Sequence, residues 1–276
     1  MACSSHNFTV NYEPSTMNHP MNRLNALFNQ KKDNLLSIYY TAGYPTLSTT
    51  LDIAEALENA GADFLEIGFP YSDPVADGPT IQHSSEKALE NGMTLHVLFE
   101  QLADLRKRVS LPILLMGYVN PIVQYGVENF CKKAAEVGVD GIIVPDLPIY
   151  EYENLYAKYF KANGLSNIFL VTPQTSKDRI HKIDRLSNSF IYLLSSSSIT
   201  GGNLQVSDNI EDYYKRIKEM QLSNPAIIGF GISNNESFNK ACEYARGAIV
   251  GSAFVKLLGT ENYLEKIPAF IKSIKK

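Results

Sequence analysis

The sequence predicts an α/β fold, a (β/α)8 TIM barrel built as one domain with an extra helix after the second strand. Three observations carry this. Short apolar runs alternate with amphipathic segments from Leu35 to the C-terminus. Each run is nearly continuous in apolar, often β-branched residues and is bounded by Gly, Pro, Asn or Asp, as parallel strands covered on both faces are. There are eight such runs, the number that closes a barrel; an open doubly wound sheet is the alternative.

In order, the strand candidates are 35–41, 63–69, 112–118, 141–146, 167–173, 190–195, 226–231 and 247–251. The segments between them have helical spacing. Leu47, Leu51, Ala54 and Leu57 share one face, and Gly61 is placed to end that helix. Helices are expected over 79–91 and 94–109, the second capped by Thr94 and striped by Leu95, Leu98, Leu102, Leu105 and Val109. A short helix at 252–258 follows the last strand, and Tyr263, Ile267, Phe270 and Ile274 mark the final one. Residues 1–20 read as a polar, disordered tail without a signal-peptide core, and 21–276 as the barrel. Two intervals exceed the usual repeat: the acidic loop after strand 2, and 195–205 after strand 6, a candidate lid.

A net charge of -4 gives no electrostatic reason to expect nucleic acid or an anionic membrane. Cys3, Cys131 and Cys242 are odd in number and far apart, which suits a reducing, cytoplasmic setting rather than a disulfide framework. The five histidines never fall at metal-ligand spacing, so no metal site is expected.

Chemistry concentrates in the run Phe64-Leu65-Glu66-Ile67-Gly68-Phe69-Pro70 and the loop that follows it. Alternation turns Leu65 and Ile67 toward the helices and Glu66 into the barrel lumen. A carboxyl buried there has a raised pKa, as a general acid near neutral pH requires. The competing reading is a structural acid paired with a basic residue inside the barrel. Asp77, on a loop between Pro74 and Pro79, reads alone as an Asp-Gly turn residue. Together, Glu66 and Asp77 at the rim of one strand suit paired acid–base work. Asp73, before a proline, reads as a cap or turn residue. For Asp146, at the end of strand 4, catalysis, loop binding and helix capping stand equal.

A second constellation is built on glycines: Gly201 and Gly202 after strand 6, Gly229 and Gly231 at strand 7, and Gly251-Ser252 after strand 8. Turns there, with the start of a short helix, form the phosphate cradle of many barrels, supplied by backbone N–H groups and needing no lysine or arginine. Tyr39, Tyr118 and Tyr192 lie near strand ends and, with Phe230, could line a flat apolar slot for an aromatic ring; each taken singly reads as packing.

The stretch from Leu65 to Gln82 closely resembles the signature of the tryptophan synthase alpha chain family. The similarity continues, in matching order, through 40–43, 116–121, 146–148, 192–195, Thr200-Gly201, 229–233 and 251–253, and so spans roughly Met21 to the C-terminus. It implies reversible retro-aldol cleavage of indole-3-glycerol phosphate to indole and glyceraldehyde 3-phosphate, without metal or cofactor in this chain. It places the catalytic acids on Glu66 and Asp77, and the substrate and phosphate contacts on Tyr39, Tyr118, Tyr192, Thr200, Gly201, Phe230, Gly231, Gly251 and Ser252. It implies a pyridoxal phosphate-bearing beta chain as partner in an alpha2-beta2 tetramer, with Asp73, Pro74, Asn120 and Pro148 on the docking face. Two positions depart from the family's frequent pattern: Ser196 where an arginine is common, and Tyr44 where an aspartate is. Other phosphate-binding barrels share the glycine cradle but do not need the acidic loop. A catalytically silent activator of a beta chain would not need both Glu66 and Asp77, and a stand-alone indole-releasing lyase is a further alternative.

Overall fold

The computed structural model describes residues 22–194, 209–229 and 231–276. The expected tail and lid, together with Thr200, Gly201 and Phe230, lie outside the described residues. Eight parallel strands close into a barrel in sequence order. They are β1 (Leu35–Thr41), β2 (Phe64–Gly68), β3 (Ile113–Met116), β4 (Gly141–Ile143), β5 (Ser166–Val171), β6 (Ile191–Leu194), β7 (Ala226–Gly229) and β8 (Gly247–Val250). Most end before the apolar run does, although residues such as Phe69 and Gly117 each make one further ladder bond, to the Met116 and Ile143 carbonyls.

The barrel is preceded by α1 (Arg23–Gln30), and α2 (Thr50–Ala60) links β1 to β2. Between β2 and β3 come α3 (Pro79–Glu90), α4 (Leu95–Leu102) and α5 (Leu105–Arg108). The single helix expected over 94–109 is therefore two. The chain turns at Ala103 and Asp104; Asp is a poor mid-helix residue, and Asp104 instead pairs with Lys107 at 2.6 Å. The remaining crossovers use α6 (Val119–Tyr125), α7 (Val127–Glu136), α8 (Ile149–Glu151), a π-helical turn (Tyr152–Tyr156), α9 (Ala157–Ala162), α10 (Lys177–Leu186), α11 (Asn209–Glu219) and α12 (Asn235–Cys242). The chain closes with α13 (Ser252–Leu258) and α14 (Tyr263–Ile274). The expected signals work locally. Thr94 accepts the Val97 N–H at 3.2 Å, and Gly61 ends α2 at φ 96°.

Two apolar clusters show how alternation divides the strands. The outer one joins Ile38, Tyr40, Leu65, Ile67 and Leu115 to the helices. The inner one fills the lumen with Leu35, Phe64, Leu114, Ile143, Ile168 and Phe190. Leu24 and Phe28 of α1 seal its lower end, where the Phe28, Phe64 and Phe190 rings meet with centroids 5.5–6.2 Å apart. With the bottom plugged, the open end is the C-terminal mouth. Among the described residues, no helix is long and apolar enough to cross a membrane.

Candidate active site

Phe64 and Glu66 are neighbours on one face of β2, so the strand that buries Phe64 in the lumen also buries Glu66. Glu66 is 0% exposed. Among the described residues no lysine or arginine pairs with it: the Ser37 hydroxyl donates to Oε1 at 3.5 Å, and Oε2 has no partner. Burial outweighs that one hydrogen bond and raises the carboxyl to about 8, so it carries its proton at neutral pH.

Asp77 sits at the tip of the acidic loop. Its N–H closes a turn on the Pro74 carbonyl at 3.0 Å, and Gln82 of α3 donates to its carbonyl at 2.9 Å. Pro79 in the first turn of α3, with Gly78 as N-cap, anchors the loop to the helix. The Tyr118 hydroxyl donates to the Asp77 carboxylate at 3.0 Å and accepts the Ala76 N–H at 2.9 Å. Burial raises Asp77 to about 6, with the Tyr118 bond opposing it, so this carboxyl is mostly ionised at neutral pH.

A cavity of about 490 Å³ opens at the mouth. Its lining includes Asp77, Tyr39, Tyr192, Ile81 and Met116, together with Gly231, Ser233, Gly251, Ser252 and Lys256. Glu66 lies beneath the wall rather than on it. Tyr118 also lies off the wall: the third member of the expected slot is engaged instead with the acidic loop. Burial, reinforced by the nearby carboxyls, pushes the Tyr39 and Tyr192 phenols above their ordinary range, so both stay neutral through the working pH range.

Two glycines make room for these rings. A methyl on Gly68 would meet the Tyr39 hydroxyl at 2.2 Å, and one on Gly229 the Tyr192 hydroxyl at 2.1 Å. Gly229, expected at the end of strand 7, is the last residue of β7 and lies beneath an aromatic ring. The Tyr39 hydroxyl lies 3.5 Å from Thr41 Oγ1, itself 2.7 Å from Ser84 Oγ. Ser84 donates to the Ile81 carbonyl at 2.8 Å, so Thr41 donates to Ser84 and Tyr39 to Thr41. The chain ties β1 to α3 and so steadies the helix that carries the acidic loop.

The other expected residues separate. Asp146 accepts the Val119 N–H at 2.9 Å and so serves the start of α6, not the cavity. Asp73 accepts from Ser72 at 2.6 Å; Asp73, Asn120 and Pro148 are exposed and Pro74 is half-buried. Residue types alone did not single out Ser37, a buried serine in an apolar strand, or Lys256, which brings a positive charge to a pole expected to do without one. For Ser37 a signal existed: it lies two residues before Tyr39 and so on the same face.

A neutral acid and an ionised carboxylate around an apolar, glycine-edged cavity, at the catalytic end of a (β/α)8 barrel, define an acid–base enzyme. The profile of the tryptophan synthase alpha chain family matches residues 25–274. The tryptophan synthase alpha chain of Flavobacterium psychrophilum is 56% identical over 255 residues, covering 92% of this chain and 100% of that one. That of Christiangramia forsetii is 54% identical, covering 92% and 99%. Among solved structures, tryptophan synthase subunit alpha from Legionella pneumophila superposes with a TM-score of 0.83 at 32% identity, over 92% of this chain and 97% of that one.

The chain belongs to the tryptophan synthase alpha chain family. It is a carbon–carbon lyase of tryptophan biosynthesis that cleaves indole-3-glycerol phosphate.

Proposed function

We propose that Glu66 and Asp77 carry the retro-aldol cleavage between them. The separation of their pKa values, about 8 and about 6 around one cavity, carries this reading. Protonated Glu66 delivers its proton to the indole ring carbon that bears the glycerol chain. That carbon becomes tetrahedral and the ring nitrogen takes up positive charge, which the Asp77 carboxylate stabilises. Glu66, now a carboxylate, accepts the proton of the adjacent glycerol hydroxyl as the carbon–carbon bond breaks. Its electrons return to the ring, indole leaves and the aldehyde forms. Protons balance across the cycle, and Glu66 ends as it began.

Tyr39 and Tyr192 give the ring an apolar bed, while Gly231, Gly251 and Ser252, with Lys256 nearby, suit the phosphate end. In the resemblance Thr200, Gly201 and Phe230 complete the substrate contacts, and Tyr118 acts by holding Asp77. This chain supplies the acids and needs no cofactor of its own for these steps; pyridoxal phosphate belongs to the beta chain. That beta chain docks on the face bearing Asp73, Pro74, Asn120 and Pro148 in an alpha2-beta2 tetramer working in the cytoplasm.

Indole release from indole-3-glycerol phosphate, measured with and without a beta chain, tests the assignment. Glu66→Gln should lower it by about 100-fold or more in a folded protein. Asp77→Asn should lower it strongly and remove the acid limb near pH 6. Near-normal release by Glu66→Gln would sink the reading. Strong release by the wild-type chain alone would instead favour a stand-alone lyase.

A further inference from the structure

Glu66 is a buried acid with almost nothing around it. Across β1 the register pairs Tyr39 with Glu66 and Ser37 with Phe64, so Ser37 lies on the lumen face one layer below the carboxyl. On β3 the register partner is the apolar Leu114. Ser37 is 0% exposed and lies one layer further from the mouth than Glu66, so the carboxyl stands between it and the cavity. Its hydroxyl reaches Oε1 at 3.5 Å, a long hydrogen bond that steers more than it locks. Oε2, by contrast, has no partner among the described residues. One carboxylate oxygen is tethered to the barrel wall and the other is left free.

We propose that Ser37 is a positioning residue for the Glu66 carboxyl, holding Oε1 toward β1 so that Oε2 exchanges the proton with substrate. The proposal rests on Glu66 being the acid of the reaction. Two effects follow from a donor aimed at one oxygen. It gives the carboxyl a directional contact that apolar packing does not supply, and it favours the charged form, opposing burial. Glu66 would otherwise hold its proton too tightly to give it up. The ionisable groups nearest the carboxyl do not supply this. Tyr39 on β1 and Tyr192 on β6 stay neutral, and burial and the Ser37 hydroxyl are what set the carboxyl.

Ser37→Ala removes the donor and little volume. The test is the ¹³C carboxyl resonance of Glu66 in glutamate-labelled, substrate-free protein, assigned by its loss in Glu66→Gln, and followed through pH in wild type, Ser37→Ala and Ser37→Thr. The midpoint should rise by about half a unit to one unit in Ser37→Ala and return toward wild type in Ser37→Thr. In turnover, the alkaline limb of kcat should move up by the same amount, kcat at neutral pH should fall several-fold, and KM should stay unchanged.

An unmoved midpoint in Ser37→Ala overturns the proposal, as does a Ser37→Thr variant that titrates like Ser37→Ala. A serine that only fills space would change the melting temperature and leave the titration alone. The resonance is read without turnover, so a failure of Glu66 as catalytic acid, seen as an active Glu66→Gln, is distinguishable from a failure of Ser37 as its guide.

Discussion

The two ends of the barrel use the same residue type in opposite ways. At the N-terminal end the carboxylates are saturated. Asp140, its side chain 1% exposed, meets Arg106 at 2.8 Å and Arg23 at 3.3 Å, and also accepts the N–H groups of Arg23 and Ile113. Asp63 is clasped by Lys31 and Lys275, each at 2.6 Å, and by the Leu36 N–H. Asp184 takes the N–H groups of Ser223 and Asn224 at 2.9 Å. Burial alone would raise Asp184, but those donors hold it below its ordinary value.

At the C-terminal mouth, Glu66 and Asp77 are each given one side-chain donor and both are raised. A paired acid holds strands together. An under-paired acid has its pKa raised toward neutrality, where a proton can be moved, and the fold bears the destabilisation.

The sharpest way to break this comparison is to neutralise one acid at each end. For Glu66→Gln the expected loss of activity comes with a gain in stability. Its folded value of about 8 lies above the ordinary 4.5, so between these the native state binds more protons than the unfolded chain and stability falls as pH rises. The contribution is intact below about pH 4.5 and lost as pH climbs through 8, by at most roughly 5 kcal/mol. Glu66→Gln should therefore melt higher than wild type, and by a wider margin near about pH 9 than near about pH 6. Equal margins at the two pH values would show that Glu66 is not held neutral by burial.

Asp140→Ala should do the reverse. It strands Arg106 beside an empty socket and unpairs two backbone donors, at about 3–5 kcal/mol. Urea titration reads this directly, and kcat per folded molecule should be unchanged, because Asp140 lies at the opposite end from the cavity. A large fall in kcat with normal stability would erase the division between the two ends.

How far these roles can be read without coordinates depends on whether they are local. Glu66 was legible because a charge inside an apolar run is anomalous within seven residues. Asp77 was legible only beside it. The eight strands were legible from their apolar runs, but their ends were not, since residues just beyond the ladder, such as Phe69 and Val144, are as apolar as those in it. What stayed hidden depends on neighbours across the lumen. Nothing near Ser37 in the chain says that β2 will set Glu66 above it, and nothing near Gly229 says that the Tyr192 ring will lie over it. Tyr118 was assigned to the substrate slot because its position at a strand end matched that of Tyr39, yet its hydroxyl turns to the acidic loop.

Tyr118 sets the finest test of the comparison, since it is the single side-chain donor that keeps Asp77 from being bare. Tyr118→Phe keeps the ring, and with it the packing against Tyr71 at 5.2 Å, but deletes the hydrogen bond to the carboxylate and the acceptor for the Ala76 N–H. Burial then acts on Asp77 with less opposition, so its value should rise above about 6. The sign is fixed: the acid limb of the rate profile moves toward neutral pH, and activity falls most on the acidic side. A shift of about half a unit is expected, which lowers the rate by about three-fold well below pH 6 and only slightly at neutral pH. Because the acceptor of the Ala76 N–H goes too, the loop should also loosen, measurable as faster amide exchange at Ala76. If the limb stays in place while exchange quickens, Tyr118 serves the loop alone, and the charge on Asp77 is set by burial without help from its hydroxyl.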